Sequence, residues 1–201
     1  ARRAAAGTGR EATAAFPTAA DSEQFPILDP ARGALFGGSH GGFLTAWLLA
    51  SPKHKALFRA GVLWNPVVDL PAMLAATDIP EWCIAEGFGG ASFEWPLTPA
   101  QHATLYARSP ISSVDEVTAP TLTLIGAADM RVPPSQGREW LAALESRQPR
   151  PKVPGAAEPA TLHDALEYEG EGHAIAGAEA NAHAVQSAVA WLLAKLEVPM
   201  Q

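Results

Sequence analysis

Apolar residues fall in short blocks along this chain, separated by turn-forming residues. Ala34-Leu35-Phe36, Ala60-Gly61-Val62-Leu63-Trp64 and Thr121-Leu122-Thr123-Leu124-Ile125 are unbroken runs too short for helices. Runs of that length, rich in β-branched or bulky residues, suit strands buried on both faces. Asn65-Pro66 closes the second; Pro120 and Gly126 bracket the third, the clearest strand of all. Residues 162–168 are the last strand candidate. Helices are predicted between and after them. Residues 43–50 form an apolar stretch long enough for a buried helix, and residues 70–76 a short one with Asp69 as N-cap. Residues 99–108 predict a helix ending before Ser109-Pro110. Residues 135–146 place Trp140, Leu141 and Leu144 on one side, and residues 182–196 form a final amphipathic helix. Residues 78–99 carry Trp82, Phe88, Phe93 and Trp95 among prolines and glycines, and predict an irregular excursion or lid. Four prolines make residues 147–160 an inserted surface loop. This alternation predicts an α/β fold with a mostly parallel sheet, catalytic groups lying at the carboxyl ends of the strands.

The ends of the chain change that picture little. Pro17, Pro26 and Pro30 exclude residues 17–30 from any central strand, so order is expected to begin near Ile27. Residues 1–20 are rich in alanine, arginine and threonine. They faintly resemble an organelle transit peptide, but read better as a disordered leader or a fragment end. The expected division is a leader over residues 1–26 and a folded part over 27–201.

At 201 residues, with 48% hydrophobic and 17% charged residues, the chain has the composition of one globular domain. A net charge of -7 argues against nucleic acid or an anionic membrane as partner. No apolar run reaches the 18 or so residues of a membrane span. The single cysteine, Cys83, rules out an intrachain disulfide, fits a reducing compartment, and reads as a core thiol rather than a nucleophile.

The chemistry concentrates at Gly37-Gly38-Ser39-His40-Gly41-Gly42-Phe43, which contains G-x-S-x-G between a strand and a helix. A serine on so tight a turn stands clear of the sheet and faces the N–H groups of a helix N-terminus. The His40 N–H is then a candidate oxyanion donor, while its side chain points elsewhere and is not the base. A serine hydroxyl needs a base, normally a histidine oriented by a carboxylate. In α/β-hydrolases the order along the chain is serine, acid, histidine. Asp129 follows the clearest strand and His173 the last one, in that order. Asp69 and Asp78 are rival acids, but both precede the clear strand. His54, His102, His163 and His183 read as surface or helix histidines. No His, Cys, Asp or Glu grouping has metal-ligand spacing and no glycine loop has a P-loop lysine, so neither metal nor cofactor is expected.

Taken with Ser109-Pro110-Ile111, Asp129-Met130-Arg131-Val132-Pro133 and Gln136-Gly137, the serine turn resembles the prolyl oligopeptidase family of serine peptidases. Asn65-Pro66-Val67, Met73-Leu74 and Thr77-Asp78-Ile79-Pro80-Glu81-Trp82-Cys83 narrow the resemblance to members that release N-acylated amino acids. It runs from about Leu28 to Leu196. It implies an α/β-hydrolase-like domain with Ser39, Asp129 and His173 as the triad and Arg131 as support of the acid loop. It also implies a cytoplasmic enzyme without cofactor, acting on short N-acylated peptides, with a homo-oligomer as one expectation for the full-length enzyme. Two alternatives stand beside this: another peptidase or esterase of the family, and a catalytically incompetent fragment. The family's N-terminal β-propeller, its earlier hydrolase strands and the loop carrying a second oxyanion donor have no counterpart in residues 1–30. The expectation is therefore the C-terminal portion of a catalytic domain, weakly active in isolation and with an exposed edge at the strand before Ser39.

Overall fold

Each of the three short apolar runs is a strand, and with the last strand candidate they form one parallel sheet in chain order: β1 (Ala34–Gly38), β2 (Ala60–Trp64), β3 (Thr121–Gly126) and β4 (His163–Tyr168). The computed structural model describes residues 29–90, 95–147 and 162–197. The chain divides into two units, residues 1–31 and 32–201. Of the first, only residues 29–31 are described; there the Ala31 N–H donates to Asp29 Oδ1 at 2.9 Å. The leader, the start of order at Ile27 and nearly all of the 147–160 loop lie outside the described residues.

Register is set by apolar pairs, with Phe36 opposite Val62, Val62 opposite Leu122, and Leu124 opposite Leu166. All six residues of β3 and the first four of β2 are buried. β1 pairs only with β2 among the described strands, and its Phe36 is 54% exposed. Strands flanked on both sides need apolar residues on both faces. That explains why β2 and β3 read as unbroken apolar runs.

Helices cover both faces. α1 (His40–Ala50) and α5 (Pro134–Glu145) pack on one, around Ala46, Leu49, Leu63, Val68, Trp140 and Leu144. α6 (Ala178–Lys195) packs on the other through Ala184 and Ala188, against Val62, Leu122 and Leu124. A third cluster unites Phe43, Val67, Leu70, Met73, Cys83, Ile84, Leu105 and Val132. It is built from α2 (Leu70–Leu74), α3 (Pro80–Phe88) and α4 (Pro99–Ala107). Asp69 caps α2, accepting from the Ala72 N–H at 2.9 Å. A Thr98–Gln101 capping box starts α4.

Three expectations need correcting. Residues 80–88 are the helix α3, not irregular chain. The proline and glycine taken as breakers sit at its ends, Pro80 in the first turn and Gly89 as a C-cap at φ 69°. α1 and α6 begin earlier than periodicity predicts, at His40 and Ala178. Helix starts are fixed by end hydrogen bonds; at α6 the Asn181 N–H donates to the Gly177 carbonyl and Glu171 Oε2 holds the Gly177 N–H. Lastly, His163 is neither a surface nor a helix residue. It opens β4, is 5% exposed, and its Nδ1 lies 2.9 Å from Thr121 Oγ1 on β3.

Candidate active site

Ser39 occupies the turn between β1 and α1 with φ 56° and ψ -122°. A non-glycine residue there is strained by about 1–3 kcal/mol and persists only where its surroundings hold it. Two main-chain bonds do so: the Ser39 N–H donates to the Trp64 carbonyl at 2.8 Å, and the Phe43 N–H to the Ser39 carbonyl at 3.1 Å. Packing also dictates two of the glycines. A Cβ on Gly37 would run into the Gly41 carbonyl and Thr45 Oγ1, and one on Gly42 would lie 2.8 Å from Pro66 Cα. Gly41, by contrast, faces open space, so the second glycine of G-x-S-x-G is not the one the turn needs for room.

Because Phe43 makes the first intrahelical bond back to Ser39, the His40 N–H has no partner within α1. It remains at the positive end of the helix dipole beside the Ser39 hydroxyl. The His40 ring turns away, as expected. It sits edge-on to Trp82 at 5.4 Å between centroids, with Nε2 3.4 Å from Glu86 Oε1.

Asp129 lies on the turn after β3. Its Oδ1 accepts the N–H groups of Arg131 at 2.8 Å and Val132 at 3.0 Å, which fixes the carboxylate. Its Oδ2 is 2.6 Å from Nδ1 of His173, on the loop after β4. The Asp129 side chain is fully buried, whereas that of His173 is 32% exposed. A carboxylate oxygen only accepts, so the proton is assigned to Nδ1, and Nε2 is left as an acceptor.

The rivals are engaged elsewhere. Asp69 caps α2. Asp78 forks onto the Arg131 guanidinium at 2.6 and 3.1 Å, and that charge-assisted pair holds its carboxyl below the usual range. Arg131 thus ties the acid turn to residues 77–78, helped by Thr77 Oγ1 donating to the Arg131 carbonyl at 2.6 Å. Cys83 is buried in the third cluster, and burial pushes its thiol up to about 12, so it is not a thiolate at neutral pH.

Ser39, His40 and His173 line one cleft of about 220 Å³. Val67, Met73, Ile79, Trp82 and Val132 form its apolar walls and Arg131 its charged rim. None of those walls was singled out from sequence as a wall. They come from the segment after β2, from α2, from the start of α3 and from the acid turn, and only the folded chain brings them together. Asn65 was read as the end of a strand and as part of the family resemblance, with no role of its own. Its carboxamide in fact reaches the His173 carbonyl at 2.8 Å and the Gly126 N–H at 2.7 Å. The one local signal for it is an asparagine, tolerant of left-handed backbone, at a strand end before proline. Among the described residues no group of three or more His, Cys, Asp or Glu is placed to hold a metal ion, and no helix is long and apolar enough to cross a membrane.

Residues 14–198 match the sequence pattern of the prolyl oligopeptidase family. An acylamino-acid-releasing enzyme of Arabidopsis thaliana is 40% identical over 128 residues, covering 63% of this chain and 16% of that protein. The acylamino-acid-releasing enzyme of Homo sapiens is 35% identical over 167 residues, 82% of this chain and 21% of that one. The structure of a puromycin-hydrolyzing peptidase of Mycobacterium tuberculosis superposes with a TM-score of 0.69 at 25% identity, covering 90% of this chain and 24% of that chain. The chain spans about a fifth of the length of these curated relatives.

Proposed function

The chain belongs to the prolyl oligopeptidase family, and from that membership we propose that it carries the catalytic centre of a serine peptidase releasing N-acylated amino acids from the blocked ends of short peptides. The observation that carries the proposal is the convergence of Ser39, the His40 N–H and the His173–Asp129 pair on one apolar-walled cleft. In this mechanism His173 Nε2 takes the proton of Ser39 Oγ as that oxygen attacks the scissile carbonyl. The His40 N–H donates to the oxyanion that forms, and Asp129 steadies the imidazolium without taking its proton. The imidazolium then protonates the departing amine. Water, deprotonated by the same nitrogen, hydrolyses the acyl-serine and frees the acylated amino acid. The walls from Val67 to Val132 exclude water from the acyl part and favour an apolar side chain. Acylamino-acid-releasing enzymes among the relatives support the acyl specificity. The cytosol is proposed as the setting, consistent with a lone cysteine kept as a thiol.

A second reading, a family peptidase with a different acyl preference, is favoured by the similarity to the puromycin-hydrolyzing peptidase. Two measurements on the intact protein decide. Fluorophosphonate should label Ser39 in the wild type, with Ser39→Ala abolishing both labelling and all but residual turnover. Labelling that survives Ser39→Ala would place the nucleophile elsewhere. Faster cleavage of an N-acetylated peptide than of its free-amine twin supports the first reading, and the reverse order supports the second.

A further inference from the structure

Asn65, the residue after β2, adopts φ 42°, is 3% exposed, and donates its own N–H to the Leu124 carbonyl at 2.8 Å. Asparagine is among the few non-glycine residues that visit this backbone region readily. There its short side chain turns across the ends of β3 and β4 instead of along its own strand. Nδ2 donates to the main-chain carbonyl of His173 at 2.8 Å, and Oδ1 accepts the N–H of Gly126 at 2.7 Å. One carboxamide therefore joins segments 61 and 108 residues away in the chain. The two loops it joins are also in direct contact, the Ala128 N–H donating to the Glu171 carbonyl at 2.8 Å.

We infer that Asn65 is a positioning residue, whose carboxamide sets the distance between the loop that bears His173 and the turn that bears Asp129. This rests on the serine-peptidase reading above. The catalytic contact between those loops is a single bond of 2.6 Å, with His173 about a third exposed. The main-chain bond from the Ala128 N–H to the Glu171 carbonyl at 2.8 Å holds the loop two residues before His173, and the Asn65 bond is the one made to the main chain of His173 itself. Misplacing a reacting group by about 1 Å can cost about 10²-fold in rate. A purely structural amide would satisfy the same two main-chain groups, but its loss would lower the amount of folded protein and leave the rate of each folded molecule alone.

The test uses two variants of the intact protein. Asn65→Gly keeps the backbone conformation and removes the tether. Asn65→Asp keeps an acceptor for Gly126 but sets a carboxylate oxygen against the His173 carbonyl. Normalised to active sites titrated, both should lose about 10- to 100-fold in kcat with KM within about threefold. The downfield proton signal of the His173–Asp129 bond should broaden or vanish. Either variant, folded, with kcat within about threefold of wild type and that signal in place would overturn the inference. So would failure of both to fold, which would assign Asn65 to the fold alone. A wild type that fluorophosphonate does not label at Ser39 sinks the peptidase reading itself. A wild type that labels, with Asn65 variants that turn over normally, sinks only the role of Asn65.

Discussion

At the scale of single residues, the site is decided by which carboxylate the imidazole can reach. The Asp129 side chain has no solvent exposure, two main-chain donors on one oxygen and His173 on the other. An amide in its place would keep the turn but favour the wrong imidazole tautomer. Asp129→Asn should therefore lose about 10³- to 10⁴-fold in kcat with little change in melting temperature. Asp78→Asn should retain most turnover, because its fork with Arg131 lies in solvent, where screening weakens it. Asp69→Asn should retain most as well, since asparagine caps a helix as well as aspartate does. Steady-state kinetics on the three variants check this; a dead Asp78→Asn or Asp69→Asn beside a near-normal Asp129→Asn would refute the acid assignment. Ser39, Asp129 and His173 were legible because each carries a local signal, a turn motif or a place just after a strand. Asn65 was not, because its partners lie far along the chain and only the folded sheet edge brings them within reach.

At the scale of elements, strands buried on both faces announced themselves, whereas α3, bounded by a proline and a glycine, did not. α3 reads as broken chain until Cys83, Ile84 and Gly87 are seen facing inward together. The β3–β4 pairing hides a pH dependence that periodicity could not show. Burial holds the pKa of His163 below its ordinary value of 6.5, against an opposing pull from Asp164 and with Lys195 reinforcing it. The unfolded chain therefore binds a proton there before the folded one does, so acid favours unfolding. Stability should fall as pH drops below about 6.5, and the slope should level off once the folded state also protonates. His163→Asn should flatten the fall over that window. Melting curves at a series of pH values, wild type against variant, test it, and parallel curves would remove His163 as the cause. Its place in the core was illegible because only register puts it opposite Thr121.

At the scale of the whole molecule, the sheet runs in chain order, and the three candidate catalytic groups hang from β1, β3 and β4 in succession. The α/β alternation legible in the sequence gives that architecture; the cleft, assembled from the loops after the strands together with α2 and α3, needed the third dimension. The His173–Asp129 bond closes only when β4 has docked beside β3, and the Asn65 bond to His173 spans most of the described chain. Contacts between distant segments form late, after local helices have appeared. On refolding from denaturant, far-UV circular dichroism should recover first, and fluorophosphonate reactivity at Ser39 should lag behind it. Reactivity that returned together with the helical signal would show that the pocket needs no completed sheet. A newly made chain emerging from the ribosome must likewise release β4 before His173 can meet Asp129. The sheet's order along the chain thus acts as a built-in delay, because the His173–Asp129 pair is not assembled until the last strand has been made.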